Sequence, residues 1–462
     1  MKQFMKRLVF VLAVTLSVVG LKQSVFAENL IYVNETTFPD KMLREEVLEQ
    51  WDEVKPYDFD DDEEDYDDEE GDYNEYVNNK AEDGVKIDAD LIKSLYIYSN
   101  DKKVTNLKGI EFLTKLESLS IWNYYGPKFD LSKNTNLEEV FLESKKHVLS
   151  PNDFASLPKL TYLRMRGKVV STIDFFKLKN IERISIDAKT GAKKVDISKC
   201  TKLKSVYIHS AAATSINIGK LSKLKDLHIE GAKKLTSVNV SKLSNLDDLM
   251  IRDCGIKKID LSKNRKLRML SVKGNKKLKS LNIKKNINLQ DVNIGYTSIT
   301  KLDTSKNKKL GSLDVYNSKI SSLNLKKNTN LWSLKVSDTP LKTLDVKKNA
   351  RLQYLTITGS KIKSVDMRNQ KIPQKVTYSA GQKVLLNKEY CDYCWIRIMD
   401  VKKGSSVDVP TCCKGYKFNS SKDNLLKCKN NKIITSKKTK KREAGISFTK
   451  GKKSIGITIY YK

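Results

Sequence analysis

The chain has 462 residues, and its 87 lysines and arginines against 55 aspartates and glutamates give a formal net charge of +32. This length exceeds one ordinary hydrophobic core. The charge is divided unevenly, since residues 28–76 carry 3 basic and 21 acidic side chains, whereas the chain from Val77 onward carries 80 basic and 34 acidic ones. A basic body behind an acidic front segment indicates polyanionic partners, an internal electrostatic contact, or both.

Residues 1–27 have the pattern of a secretory signal peptide. Basic residues precede an apolar run from Leu8 to Leu21, and Val25-Phe26-Ala27 supplies small residues where a signal peptidase cleaves. We therefore predict a secreted protein, extracellular or loosely associated with the cell surface, with an uncleaved membrane anchor as the alternative. No later apolar run is long enough to span a bilayer, so we expect no transmembrane segment after cleavage.

Residues 28–90 are predicted to form an N-terminal cap, because the end of a repeat array needs one. Residues 38–48 have the spacing of a short amphipathic helix with Leu43, Val47 and Leu48 facing inward. The cap contains an insertion, residues 58–76, with thirteen acidic and no basic side chains. That composition is typical of a disordered, solvated segment, and the alternative is a tethered polyanion that docks on the protein's own lysines.

Residues 91–373 contain one repeated unit. The pattern L-x-x-L-x-(V/I) recurs every 21–23 residues, and a weaker copy begins at Ile92, which predicts about thirteen turns of a leucine-rich-repeat solenoid. Each repeat is double, because Leu270-Ser-Val272 is followed eleven residues later by Leu281-Asn-Ile283. The alternation predicts two short strands per turn, and hence a β-rich solenoid. The full copies begin at Leu116, Leu137, Leu160, Ile181, Leu203, Leu224, Leu246, Leu267, Leu289, Leu310, Leu331 and Leu352.

Stacking the turns in register aligns polar residues in columns. Buried asparagines are expected to satisfy backbone groups inside the coil, with Cys200 and Cys254 as structural members of such columns. An outward acid–amide column alternates carboxylates with amides, which limits repulsion between neighbouring strands. The first column contains Asn264, Asn286, Asn307, Asn328 and Asn349, and the second Asp196, Asn217, Asn239, Asp260, Asn282, Asp303, Asn324, Asp345 and Asp366.

Two candidate binding surfaces follow from the same alignment. A lysine ladder matches the repeated charges of an anionic polymer, although it is also typical of a solvated edge that resists strand pairing. The alternative is a strand face with aromatic and charged residues, which suits a protein partner. The lysine ladder is Lys263, Lys285, Lys306, Lys327 and Lys348, and the alternative ligand face is Tyr207, Asp314, Tyr316, Trp332, Lys335 and Tyr354.

The repeats resemble those of secreted bacterial leucine-rich-repeat proteins, including the internalin-like group. The segment from Val104 to Leu116 looks like the opening repeat of that group, and Leu344 to Asn349 looks like its shortest repeat variant. The resemblance implies a surface-binding function without naming a ligand. Relatives often carry a calcium-binding loop after the cap helix, and Asp83-Gly84 looks like its remnant. Ala81 has no oxygen to donate there, and Asp90 stands where glutamate is usual, so we expect no calcium.

Residues 374–462 lose the repeat pattern and show alternating strand patterns such as Trp395-Ile-Arg-Ile398. They predict a small β-sandwich, and the segment from Tyr416 to Ser421 with the last strand resembles a bacterial immunoglobulin-like domain. Disulfides are the first interpretation of its cysteines in an exported chain, with a zinc site or free thiols as alternatives. The five cysteines, an odd number, are Cys391, Cys394, Cys412, Cys413 and Cys428.

The sequence does not predict an enzyme. It has three histidines, His147, His209 and His228, and neither a phosphate-binding glycine loop nor a zinc-protease helix motif. We expect no cofactor and no resident metal. Two functions remain: binding an anionic cell-wall polymer or acidic glycan through the lysine ladder, or adhesion to a host or bacterial surface protein through the aromatic strand face. Salt distinguishes them, because polymer binding weakens steeply with ionic strength.

Overall fold

The computed structural model describes residues 29–55, 84–98, 103–370, 375–386, 395–413, 416–419, 425–437, 442–450 and 453–462. The predicted signal peptide, the acidic insertion, Ala81 and Asp83 of the predicted loop remnant, and Cys391 and Cys394 lie outside these residues. Within the described part of the chain, no helix is long and apolar enough to cross a membrane.

The N-terminal segment contains β1 (Leu30–Val33), α1 (Lys41–Val54) and β2 (Val85–Asp88), and β2 pairs antiparallel with β1. The helix begins where one carboxylate oxygen of Asp40 accepts a hydrogen bond from the backbone N–H of Leu43. The other oxygen accepts from the backbone N–H and the hydroxyl of Thr105, at 2.6 and 2.8 Å. Leu43, Val47 and Leu48 are buried, as the sequence predicted, and the helix packs against the first strand of the main sheet.

The repeat region follows as a series of short strands with single-turn 3₁₀ helices at Ala89–Leu91, Ile110–Phe112 and Pro151–Phe154. In chain order the strands are β3 (Ser94–Ile97), β4 (Ser118–Tyr124), β5 (Glu139–Leu149), β6 (Tyr162–Val169), β7 (Thr172–Asp174), β8 (Arg183–Thr190), β9 (Lys194–Asp196), β10 (Ser205–Ser210), β11 (Ser215–Asn217), β12 (Asp226–Glu230), β13 (Asp248–Arg252), β14 (Met269–Ser271), β15 (Asp291–Asn293), β16 (Ser312–Asp314), β17 (Ser333–Lys335), β18 (Tyr354–Thr356) and β19 (Ser364–Met367).

All of these except β7, β9, β11 and β19 form one parallel sheet in which each strand pairs with the next. Leu249 of β13, for example, lies beside Leu227 of β12 and Leu270 of β14. The thirteen strands from β3 to β18 in this sheet are the thirteen turns that the repeat spacing predicted. Their inward residues are buried because a constant spacing returns the chain to the same point of each turn, where the side chains stack into one core.

The prediction of two strands in every turn is wrong. On the second side, β7, β9 and β11 form one short parallel sheet and β19 begins another, but residues 253–268, 272–290 and the corresponding segments up to 353 form no strand there. The alternating pattern still buries Ile283 and exposes Asn282. The alternating pattern therefore indicates which side chains face inward, but it does not by itself predict a strand. A strand also requires that backbone groups of neighbouring turns lie within hydrogen-bonding distance.

A column of buried asparagines runs through five consecutive turns, as predicted. Asn264, Asn286, Asn307, Asn328 and Asn349 have no exposed surface, and each side-chain amide donates to two backbone carbonyls of the preceding turns. The amide of Asn307, for instance, lies 3.1 Å from the carbonyl of Ile283 and 2.8 Å from that of Asn286. Asn134 and Gln370 make the equivalent contacts near the two ends of the column.

The C-terminal strands extend the same sheet. They are β20 (Lys375–Ser379), β21 (Lys383–Leu386), β22 (Trp395–Val401), β23 (Ser406–Asp408), β24 (Lys417–Asn419), β25 (Leu426–Lys429), β26 (Lys432–Thr435), β27 (Glu443–Lys450) and β28 (Lys453–Tyr461), with a 3₁₀ turn at Thr411–Cys413. β20, β22 and β28 continue the parallel sheet after β18, and β27 and β24 then pair antiparallel at its end. β21 pairs parallel with β19, and β23, β26 and β25 form a separate antiparallel sheet.

The parallel sheet continues past residue 374, where the repeat pattern ends, and the whole solenoid has about 14 turns. Leu355 of β18 lies beside Val376 of β20, which lies beside Ile396 of β22. These residues are 21 and 20 positions apart, so the spacing persists after the leucine pattern has disappeared. The leucine pattern does not reveal the turns of β20 and β22, because valine and isoleucine fill their inward positions.

The asparagine column provides a test of what holds the turns together. We expect Asn307→Ala to lower the free energy of unfolding by about 1–3 kcal/mol, because two buried carbonyls lose a donor. The exposed Asn330 also donates to a carbonyl of the preceding turn, that of Lys308, so Asn330→Ala is the matched control and should cost less than about 0.5 kcal/mol. Urea unfolding followed by circular dichroism measures both, and equal losses would contradict a special role of the buried amides.

Close approach of neighbouring turns provides a second test. Gly191 has a φ of +92°, and a β-carbon there would lie 1.8 Å from the carbonyl oxygen of Val169; Gly381 has a φ of +88° and open space around it. Both alanine variants suffer the cost of a left-handed backbone, about 1–2 kcal/mol. Gly191→Ala should lose at least about 2 kcal/mol more than Gly381→Ala in the same unfolding measurement. If the two losses are equal, the turn that contains Val169 moves aside freely.

Candidate functional site

The outward face of the main sheet carries most of the exposed aromatic residues of the repeats. Tyr316 on this face is surrounded by Tyr296, whose ring centroid lies 4.7 Å away, and by the ammonium of Lys335, 3.8 Å from the centroid of the Tyr316 ring. Asp314 ends strand β16, two residues before Tyr316, and burial raises the pKa of its carboxyl despite the nearby lysines. Adjacent turns of the sheet thus bring together Asp314, Tyr316 and Lys335, three residues of the predicted ligand face.

Trp332 and Tyr354 form a separate pair on the neighbouring turns. Their ring centroids lie 5.8 Å apart in an edge-on arrangement, and the Trp332 side chain is 44% exposed. Gly311 precedes β16 and lies under the indole, where a β-carbon would come within 2.7 Å of Trp332 Nε1. A glycine at this place is required for the indole to lie flat across the turn.

Tyr207 lies well away from the other five residues of the predicted ligand face. Its ring contacts the imidazole of His228 at 4.4 Å, and Nε2 of His228 lies 2.9 Å from Oδ2 of Asp248. Tyr207, His228 and Asp248 come from three consecutive strands of the sheet, β10, β12 and β13. The six residues of the predicted face thus belong to three places along the sheet.

A fourth group, the N-terminal aromatic cluster, was missed in the sequence. It consists of Tyr96, Tyr98, Trp122 and Phe141 on β3, β4, β5 and the turn after β3, with Arg164 beside them. The centroids of Trp122 and Phe141 lie 4.3 Å apart, those of Tyr98 and Trp122 lie 5.4 Å apart, and the Arg164 guanidinium lies 4.8 Å from the Phe141 centroid. Tyr96 and Tyr98 are 50% and 51% exposed. Tyr96 has the same position in its turn as Tyr207, and Tyr98 has the same position as Tyr316. Aligning the repeats could therefore have revealed the cluster.

Ion pairs fix the charged residues between these groups. The buried carboxylate of Glu143 lies 2.6 Å from the ammonium of Lys145. Asp187 pairs with Arg166 at 3.1 Å and with His209 at 3.0 Å. The pair of Glu143 with Lys145 lies within β5, whereas the two pairs of Asp187 join the consecutive strands β6, β8 and β10.

The lysine ladder lies on the other side of the molecule, in the turns that precede the buried asparagines. All five lysines are exposed, and no described acidic residue lies within 4 Å of any of their ammonium groups. The acid–amide column faces outward beside them, and each member except Asn217 accepts a hydrogen bond from the backbone N–H two residues later. Its oxygens are therefore engaged in shaping turns, and only Asp303 pairs with a lysine, Lys284, at 3.1 Å.

The hydrogen bonds of these turns also act on the carboxylates. The hydroxyl and the backbone N–H of Ser305, with the ammonium of Lys284, lower the pKa of Asp303 to about 2. Arg368 does the same for Asp366. Asp303 and Asp366 therefore stay ionised at neutral and mildly acidic pH, and they offset part of the positive charge of this side.

Three solved structures resemble this chain. The functional domain of InlJ from Listeria monocytogenes, which includes a cysteine ladder, is 17% identical with a TM-score of 0.60, over 94% of this chain and 99% of that one. An internalin, inlF, from the same organism is 17% identical with a TM-score of 0.53, over 76% and 92%. A leucine-rich-repeat protein of Leptospira interrogans is 17% identical with a TM-score of 0.56, over 67% and 90%.

The chain has the leucine-rich-repeat fold. At this identity the likeness shows the fold alone, and no family model and no curated protein matches the sequence. Because the InlJ match covers 94% of this chain, it includes strands of the C-terminal segment. This agrees with the place of those strands in the continuous sheet. The predicted internalin-like repeat fold is thus confirmed.

Cysteines of this leucine-rich-repeat chain lie in two settings. Cys200 and Cys254 are buried in the repeat columns, where burial raises the pKa of the Cys200 thiol to about 12 and of the Cys254 thiol to about 11, so both stay protonated and unreactive. In the C-terminal strands, the sulfurs of Cys412 and Cys413 lie 3.9 Å apart, too far for a bond of about 2.05 Å. The predicted disulfides involving Cys391 and Cys394 stay predictions. In the described ranges, no three histidine, cysteine or acidic side chains are grouped as metal ligands.

Proposed function

We propose that this chain is a non-catalytic binding protein whose main sheet face takes a protein partner. The N-terminal aromatic cluster carries the proposal, because Tyr96 and Tyr98 expose half of their surface beside Trp122 and Arg164. Tyrosine, tryptophan and arginine are the residues that contribute most of the binding energy at protein interfaces. The cluster stands on a rigid parallel sheet, so binding would cost little side-chain ordering.

The test compares exposed aromatics on and off this face. The variant Tyr96→Ser/Tyr98→Ser removes two half-exposed rings without opening the core, and Phe176→Ser removes a ring that is 46% exposed in a turn outside the main sheet. Residues 29–462 and both variants are assayed against purified cell-surface proteins, glycans and wall polymers. The double variant should weaken a protein interaction by roughly tenfold or more, and Phe176→Ser should not. Equal binding by all three proteins contradicts the proposal.

A second candidate function is binding of an anionic wall polymer or acidic glycan by the lysine ladder. One observation favours it: the five ladder lysines lie in consecutive turns and have no acidic partner within 4 Å among the described residues. A periodic row of unpaired cations complements a periodic row of anions, and the attraction is screened by salt.

Charge-matched variants test this second function. Replacing Lys285, Lys306, Lys327 and Lys348 with glutamine should abolish retention on anionic wall material at physiological salt. The control replaces four exposed lysines of other columns, Lys115, Lys179, Lys223 and Lys234, and so has the same net charge. If both variants lose retention equally, only the total charge matters. If neither loses it, the ladder is a solvated edge.

Three further parts of the proposal concern export and the two ends of the solenoid. The basic and apolar pattern of residues 1–27 supports export. The contact of α1 with β3 supports a capping role for the N-terminal segment. The antiparallel strands β23 to β27 are compatible with an immunoglobulin-like end of the solenoid.

A further inference from the structure

Asp226 and Asp248 form a pair of carboxylates on the sheet face, at the equivalent first positions of β12 and β13. They are direct register partners of adjacent parallel strands, which run about 4.8 Å apart. Asp248 is 4% exposed and Asp226 is half-buried. Two like charges at neighbouring strand positions are destabilising unless a cation lies between or beside them.

Several other acidic residues of this face have such a cation. Glu139 pairs with Arg183, and Glu143 and Asp187 pair with basic residues as described above. Asp247, next to Asp248 in the chain, is held by both arms of Arg268, at 2.6 and 2.5 Å. In the described structure no lysine or arginine lies within 4 Å of Asp226 or Asp248, and only the imidazole of His228 contacts Asp248.

A second observation singles out this pair. Oδ1 of Asp248 is buried and has no hydrogen-bond partner among the described residues. A buried carboxylate oxygen without a donor costs a kilocalorie or more, on the order of 1–3 kcal/mol. The site is thus incomplete as it stands, and it lacks a cationic hydrogen-bond donor.

The surroundings of the pair favour a flat cation. The ring of Tyr207, 46% exposed, lies against His228 on one side, and burial, followed by the charges of Asp226 and Asp248, raises the pKa of its hydroxyl. Met269, the register partner of Asp248, is 37% exposed on the other side. An aromatic ring on one side and a thioether on the other suit the faces of a planar group.

We propose that Asp226 and Asp248, with Tyr207, form a notch that binds the guanidinium of an arginine side chain presented by the protein partner. Two carboxylates at adjacent positions match the fork of N–H donors of a guanidinium, which a compact ammonium does not match. The flat group would stack beside Tyr207 while it donates to Asp226, and a rotation of the Asp248 carboxylate would bring its buried Oδ1 within reach of the same guanidinium. This inference rests on the proposed function of the sheet face and names a chemical feature of the partner.

Methyl groups beside the notch report on the binding directly. The chain has eight methionines, and Met250 and Met269 lie beside His228 and Asp248. With ¹³C-methyl methionine labelling, titration of residues 29–462 with N-acetyl-arginine amide should shift these two methyl resonances in a saturable way. N-acetyl-lysine amide should bind more weakly by roughly tenfold, and neutral N-acetyl-citrulline amide should cause no saturable shift. Equal shifts by arginine and citrulline would overturn the notch.

Conservative variants locate the site. Asp226→Asn and Asp248→Asn keep the size of the side chain, and each should weaken arginine-amide binding by roughly tenfold, through loss of a charge-assisted bond. Asp291→Asn is the matched control, because Asp291 stands at the same strand position beyond Met269, and its neighbours in register are Met269 and Ser312. Unchanged binding in both notch variants, or equal loss in the control, contradicts the proposal.

The affinity should also depend on pH. Burial, and then Asp248, raise the pKa of Asp226, so its charge is lost at a higher pH than that of an exposed carboxylate. Lowering the pH from about 7.5 to about 5 should therefore weaken arginine-amide binding several-fold, since arginine itself stays charged. The titratable groups that interact with Asp226 from its own strand and the neighbouring turns are Lys225, His228, Asp247, Asp248, Tyr207 and Arg268. Binding that strengthens at low pH contradicts an anionic notch.

The two proposals fail in different experiments. If arginine amide binds the notch but Tyr96→Ser/Tyr98→Ser leaves partner binding unchanged, the aromatic cluster is not the interface and the notch stands. If the double variant loses the partner but arginine amide causes no saturable shift of the Met250 and Met269 methyls, the proposed function stands and the notch is wrong.

Discussion

The two hydrogen bonds that each buried asparagine donates to backbone carbonyls are the interaction on which the rest of the structure depends. A solenoid turn must reverse the chain inside the coil, where carbonyl groups cannot reach water. The amide of Asn286 or Asn307 supplies the missing donors to the preceding turns and so fixes the distance between turns. In the turns that contain these asparagines each turn is fixed to the one before it, so the outward residues of successive strands lie at constant separation.

That constant separation turns a repetitive scaffold into a specific surface. Inward positions are all alike, but each outward position is free to vary, so the face changes from aromatic and cationic at Trp122 and Arg164 to acidic at Asp226 and Asp248. It becomes aromatic and cationic again at Tyr316 and Lys335. A chain with a net charge of +32 thus keeps a local acidic site, because strand register holds two carboxylates together although the chain as a whole is strongly basic.

Prediction succeeded wherever one residue type repeats at one spacing. The leucine positions, the asparagine column and the outward acid–amide column all follow from burial at a fixed period, and the structure has them at those places. Prediction failed where the spacing persists without its usual residues, as at Val376 and Ile396, and where side-chain alternation was equated with hydrogen-bonded strands, as at Leu281 to Ile283.

The sequence by itself determined the repeat, its core and the sides on which charged residues lie, because a buried position tolerates few residue types and therefore shows its period. Only the tertiary structure decided which outward residues meet. Tyr207 and His228 are 21 positions apart and Trp332 and Tyr354 are 22 positions apart, and neither distance along the chain reveals whether two rings touch. Contact depends on strand register and on the rotamers of the neighbouring turns, which belong to the folded chain and not to any single repeat.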